Sequence, residues 1–155
     1  MYRDLQLYID GDWRAASSGA TREVTDPATE EVLGTIAAAD EKDLDAALAA
    51  AEAGFNIWRR TGPWERARLI RATAELIRSR ADQIAMVMSL ETGKPLAEAK
   101  GEVGGAADQF EWYSEETKRI YGQVIEGRTG ESRMAVIHQP VGVVFCLAES
   151  YLDAT

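Results

Sequence analysis

The sequence predicts an α/β protein laid out as a β-ribbon, three helices, a hairpin and one buried strand. Three observations carry that reading. Leu5, Leu7 and Ile9 alternate with polar or amphipathic residues ahead of an Asp10-Gly11 pair. Apolar residues then recur at helical spacing from Asp40 to Ile120. A near-continuous apolar run, VGVVFCL, fills residues 141–147.

The elements follow in order. Asp10-Gly11 is a two-residue hairpin signal leading into Trp13, so the chain opens on a small antiparallel ribbon. The polar stretch SSGATRE leads to the turn signal Asp26-Pro27 and a short strand candidate at 32–36, which completes a β-rich opening segment. Leu44, Ala47, Leu48, Ala51 and Phe55 mark one face of a first helix over 41–58, with Asp40 placed to cap its first turn and Asp43 three residues on. Gly62-Pro63 breaks the pattern. Trp64, Ala67, Ile70, Ala74, Ile77 and Ile84 then form a second stripe running to about residue 90, predicting one helix that ends at Thr92-Gly93, with Pro95 opening the next.

The third helix, over 96–120, is expected to bury Val103, Ala106, Phe110, Tyr113 and Thr117. Gly101, Gly104 and Gly105 sit in its first half at up to ~1 kcal/mol each relative to alanine, which predicts close packing against a neighbouring backbone. Two strand candidates, 123–125 and 133–138, flank the polar loop EGRTGES. The run 141–147 has the composition of a strand covered on both faces.

Composition narrows the function. A 46% hydrophobic content suits a soluble core, and 26 acidic against 17 basic residues give a net charge of −9, which repels nucleic acid and anionic membranes. The single cysteine, Cys146, forbids an internal disulfide and fits a reducing, cytoplasmic compartment. One histidine, His138, cannot build a multi-histidine metal site. Arg3, Asp4 and Asp10 interrupt the N-terminal apolar residues, so no signal peptide is expected, and no stretch reaches the roughly 20 apolar residues of a membrane span.

Six local signatures occur in a telling order: YIDGDW at 8–13, DPATEEVLGTI at 26–36, WERARLI at 64–70, LETGKPLAEAKGEV at 90–103, EWYSEETKRIYG at 111–122 and QPVGVV at 139–144. Together they resemble the N-terminal third of the aldehyde dehydrogenase superfamily over nearly the whole chain. The EWYSEETKRIYG segment resembles the succinate-semialdehyde dehydrogenase branch. The resemblance implies NAD- or NADP-dependent oxidation of an aldehyde to a carboxylic acid, in which a cysteine thiolate attacks the aldehyde, hydride passes to the nicotinamide and a glutamate activates water. It also implies a fold with a Rossmann-like cofactor domain, a catalytic domain and an oligomerisation hairpin. This chain resembles an incomplete cofactor domain over 1–147, with 123–138 as one arm of the hairpin and a route to a homo-oligomer.

The likeness stops at the tail. Where the family continues into a PWNFP-like turn whose asparagine donates to the oxyanion, this chain reads ESYLD, with Tyr151 at the asparagine position. A phenol differs from a carboxamide in length and angle, so the role is not carried over. Residues 148–155 are therefore expected to be a divergent tail, the pattern that a frameshift, a pseudogene product, a misassembled reading frame or a deliberate fragment each produces. The family's nucleophile, general base and ribose-holding lysine and glutamate all lie downstream.

The chain alone is thus expected to hold no catalytic, cofactor-binding or metal-binding residue, to leave NAD(P) unbound and to be inert. Cys146, inside VVFCL with no neighbouring base, reads as a buried apolar residue, and His138 as a surface or interface residue. The glycines of GEVGGA lie in a helical pattern with no following GK[ST], so they read as packing positions rather than a phosphate loop. Glu91 and Lys94 read as helix-end residues, and Glu111, Glu115, Glu116, Lys118 and Arg119 as a solvated face with i,i+4 pairing. A rival reading makes the chain a non-catalytic module that pairs with an intact homologue.

Overall fold

The computed structural model describes residues 2–147. The element order is β1 (Leu7–Ile9), β2 (Asp12–Arg14), β3 (Thr21–Thr25), β4 (Val32–Ala37), α1 (Glu41–Trp58), α2 (Pro63–Ser79), α3 (Ala81–Thr92), α4 (Leu96–Glu116), β5 (Gln123–Glu126) and β6 (Arg133–Val136). Each strand pairs antiparallel with its sequence neighbour, giving three two-stranded sheets.

The first ribbon is the one its turn dictates. Asp10 and Gly11 both take positive φ, 55° and 86°, so the turn twists with the strands and sets Tyr8 opposite Trp13, whose rings lie 4.9 Å apart. Strand β3 was not apparent in the polar stretch because only Val24 of its five residues is buried, at 0% exposure. It pairs with β4 through a loop in which Asp26 accepts from the Ala28 amide at 2.8 Å. Leu5 adds a single parallel bridge to Ile36.

Helix α1 starts on a capping box. Asp40 accepts from the amides of Lys42 (3.0 Å) and Asp43 (3.2 Å), while Asp43 accepts from the Asp40 amide (3.1 Å). The buried Asp43 carboxylate also accepts the Ser17 amide on both oxygens, at 3.1 and 3.0 Å, tying the preceding loop to the helix start. The expected stripe is less buried than its pattern predicts: Leu44 and Leu48 are exposed.

The predicted second helix is two. Arg80, at φ −111° and ψ 11°, lies between α2 and α3, and its amide closes back on the Leu76 and Ile77 carbonyls. No glycine or proline marks that break, and Ile77 and Ile84, seven residues apart, stay in phase across it. Four helices therefore replace the three expected. Helix α3 ends as predicted at Gly93, in the left-handed region at φ 70°.

The core lies where α3 meets α4. Ala85, Ala99 and Val103 are buried, with Ile77, Ala81, Ile84, Met88 and Leu96 packed against them. Helix α2 runs beside α4, and Arg78 bridges to Asp108 (2.7 Å) and Glu111 (2.6 Å) while Arg71 pairs with Glu115. The face α4 buries is Ala99, Val103, Ala107 and Ser114; Ala106, Phe110 and Tyr113 are exposed, a rotation of the expected stripe toward the small residues that let the helices approach. The helix stops at Glu116, before the expected 120. A Cβ on Gly101, Gly104 or Gly105 would meet nothing within 4 Å, so the expected close backbone contact is absent among the described residues.

Strands β5 and β6 form the expected hairpin and are exposed throughout. Residues 141–147 are not the buried strand predicted: they carry no regular structure, and Val141 is 91% exposed. A strand needs a ladder partner, and the described residues offer it none.

Candidate functional site

The residues that invite a catalytic role stand apart from one another. Cys146 is exposed, which corrects the expectation of a buried thiol; its segment lacks the covering elements that burial requires. His138 is exposed beyond the end of β6. Among the described residues no group of three or more His, Cys, Asp or Glu side chains is arranged to hold a metal ion. Tyr151, the rest of ESYLD and the tail 148–155 lie outside the described residues.

Glu91 and Lys94 turn away from the helix-end role. Glu91 accepts from the Tyr2 hydroxyl at 2.6 Å, and burial followed by this hydrogen bond and the Glu91 charge raises the phenol above its ordinary range. Lys94 reaches Glu102 of α4 at 2.5 Å. The capping is done instead by Gly93 and by hydroxyls, with Thr92 donating to the Met88 carbonyl (2.7 Å) and Ser89 to the Lys94 carbonyl (2.7 Å). The acidic run of α4 pairs at i,i+3, Glu115 with Lys118 (2.6 Å) and Glu116 with Arg119 (2.8 Å), and across to α2, rather than at i,i+4.

The described surface gathers functional groups in a cleft of about 540 Å³ between the α1–α2 turn, the end of α4 and the segment after β6. Arg59 and Arg66 line one side, Lys118 and Tyr121 the other, and His138 and Gln139 come from the third. Neither reading of the sequence anticipated it, because its residues come from three separate stretches of the chain. Thr117 closes its base by donating to the Pro63 carbonyl at 3.2 Å.

A cofactor cradle is not among the described features. Dinucleotide sites use a glycine turn between a strand and a helix start, so that backbone amides meet the pyrophosphate. Here Gly101, Gly104 and Gly105 lie inside α4, and no described strand feeds a helix through a glycine turn. The described residues therefore do not form such a cradle by themselves.

Comparison with known proteins places the whole arrangement. The family model described as "Aldehyde dehydrogenase family" matches residues 13–148. The glutarate-semialdehyde dehydrogenase of Pseudomonas putida KT2440 is 44% identical over 138 residues, covering 89% of this chain and 29% of that protein. The NADP(+) succinate-semialdehyde dehydrogenase of Escherichia coli K12 is 42% identical over 138 residues, with the same coverage. The crystal structure of succinate-semialdehyde dehydrogenase from Burkholderia pseudomallei superposes with a TM-score of 0.84 at 41% identity, covering 89% of this chain and 29% of that one. The chain thus spans under a third of the length of the relatives it matches, and its ribbon, helices and hairpin are the N-terminal part of their fold. On the strength of that match across most of its length, the chain belongs to the aldehyde dehydrogenase family.

Proposed function

We propose that this chain is the N-terminal, non-catalytic part of an NAD(P)-dependent dehydrogenase that oxidises a small semialdehyde, succinate semialdehyde first among candidates, to its carboxylic acid. The observation that carries the proposal is the alignment itself: relatives named for succinate and glutarate semialdehyde match along 89% of this chain and only 29% of their own length. Residues 1–147 supply part of the cofactor domain and 123–138 one arm of an oligomerisation hairpin, with 148–155 a divergent tail. The chemistry belongs to residues outside this stretch, in a reducing cytoplasmic setting.

The groups present support the proposed inertness. A cysteine nucleophile works beside a base or cation that activates it. Cys146 has no hydrogen-bond or ion-pair partner among the described residues. The purified chain should give no NAD(P)H absorbance with succinate or glutarate semialdehyde. A fusion that joins it, at the QPVGVV segment, to the remaining part of the Pseudomonas putida relative should give turnover. Robust turnover by the chain alone sinks the proposal of inertness, and a folded but inactive fusion sinks the assignment to this reaction.

One observation favours a second reading, a module that pairs with an intact homologue. Every residue of β5 and β6 is exposed, Val124 and Met134 included, so the hairpin presents unpaired edges and apolar side chains to another chain. Co-purification of the tagged chain with a full-length relative is the expected result under that reading; separate migration of the two proteins removes it.

A further inference from the structure

The cleft beside the α2 start gathers positive charge on a chain that is acidic overall. Its lining includes Arg59, Arg66 and Lys118 and no aspartate or glutamate, although the sequence holds 26 acids to 17 bases. The nearby carboxylates are already engaged by cations, Glu115 by the cleft's own Lys118. Glu65 is held by Arg68 through two hydrogen bonds, 2.8 and 2.6 Å, and Glu115 is shared between Lys118 and Arg71.

Arg59, at the end of α1, and Arg66, on α2, differ from the other arginines of α2. Arg68, Arg71 and Arg78 all have carboxylate partners, whereas no carboxylate pairs with Arg59 or Arg66 among the described residues. Arg59 instead lies 5.3 Å from the centre of the Phe55 ring. Arg66 has its Nε enclosed and without a hydrogen-bond partner. A buried N–H left unpaired is unfavourable, so no acceptor among the described residues fixes the Arg66 guanidinium.

Helix α2 adds to the same field. It begins at Pro63 behind Gly62, and no side chain caps its first turn. Pro63 carries no amide hydrogen, so the free amides of this turn are those of Trp64 and Glu65, and the helix dipole favours an anion at this end. Tyr121 and Gln139 bring further donors, and about 540 Å³ is ample for a phosphate group with a small organic body.

We propose that this cleft binds a phosphate group, held by the forked guanidinium donors of Arg59 and Arg66, with Lys118 beside them balanced by its Glu115 partner. Guanidinium forks match phosphate oxygens two at a time, which a surface lysine cluster does not do. The site rests on these residues alone and is independent of the reaction proposed above.

The test is a nitrogen-15 NMR titration of the full chain with inorganic phosphate and, separately, glycerol 3-phosphate, at constant ionic strength set with chloride. Saturable shifts confined to the amides of residues 59–62, 64–66, 117–121, 138 and 139 are expected. Arg66→Ala should weaken binding roughly tenfold or more, the loss of a charge-assisted contact. Arg59→Gln, at an exposed position, should weaken it severalfold without touching the fold, and Lys100→Ala, outside the cleft and paired with Asp82, should leave it unchanged. Tighter binding of the ester assigns an organic phosphate, and equal binding assigns the free ion. Shifts that rise linearly without saturation, or Arg59→Gln and Arg66→Ala curves that overlay the parent, overturn the proposal.

Discussion

Asp43 is the side chain on which the joint between the opening segment and α1 depends, and replacing it tests that directly. Its carboxylate accepts the Ser17 amide on both oxygens and the Asp40 amide on one, in a place where Asp43 itself is 6% exposed. Asp43→Ala leaves two backbone donors without their charged acceptor. A hydrogen bond to a charged group contributes about 1.5–3 kcal/mol net, and partial rehydration of the Ser17 amide returns some of that. The expected loss is therefore about 2–4 kcal/mol. For a chain of this length that lowers the thermal midpoint by roughly 6–12 °C. Asp43→Asn keeps one oxygen acceptor without the charge and should lose about half as much. Urea unfolding followed by far-UV circular dichroism reads both. An Asp43→Ala protein within about 0.5 kcal/mol of the parent, well inside the scatter of neutral surface changes, would refute the view that this carboxylate joins loop to helix.

Three further outcomes follow from the same structure. Gly93→Ala should cost about 1–2 kcal/mol in urea unfolding, because φ is 70° and the new Cβ would stand 3.0 Å from Pro27 Cγ; a neutral result would place the α3 cap elsewhere. Gly101→Ala and Gly105→Ala, with open space around each Cβ, should instead stabilise the chain by about 0.5–1 kcal/mol apiece through backbone entropy, and destabilisation would show a contact that the described residues do not contain. Thermal midpoints should fall as the solution is acidified below about pH 4. The Ser17 hydroxyl lowers Asp40, and Arg68, Lys100 and Lys118 lower Glu65, Asp82 and Glu115, so the stability these groups add is present above the ordinary carboxylate range and lost as pH drops through their depressed values. Asp40→Asn should flatten part of that slope, and an unchanged slope would contradict the Asp40 contribution.

Local chemistry was legible in the sequence wherever one or two residues decide the backbone. Asp10-Gly11 fixes the first turn through two positive φ angles, Asp40 with Asp43 fixes the start of α1, and Gly93 ends α3. The bend at Arg80 was hidden because the chain closes it with ordinary amide-to-carbonyl bonds to Leu76 and Ile77, which need no special residue. Strand β3 was hidden because a two-stranded sheet facing solvent needs one buried residue, Val24, and an alternation signal needs several. The basic cleft was hidden for a different reason: Arg59, Lys118 and His138 are brought together by the turn after α1 and the end of α4, and a net charge of −9 reports the sum of all charges and not their placement. The family was legible through motif order, which survives every one of these local misreadings.

Burial was the least legible property, and surface area explains why. A folded monomer of 17.0 kDa exposes about 7,700 Å² by the usual scaling with mass, whereas this chain exposes 12097 Å². Its buried apolar residues are mostly alanine, with Ile9, Val24 and Val103 the larger exceptions, while Leu44, Leu48, Phe110, Val141 and Phe145 lie open. These exposed residues are the ones whose spacing predicted a covered face on α1, on α4 and along 141–147. Periodicity tells which side of an element is apolar; it does not tell whether the covering element lies in the same stretch of chain. Here the described residues do not supply the cover, so the pattern marks a stripe and not a core. Contacts with further elements of the fold or with another chain would bury that excess, and the physical expectation is that such contacts, more than any internal mutation, set the stability of this segment.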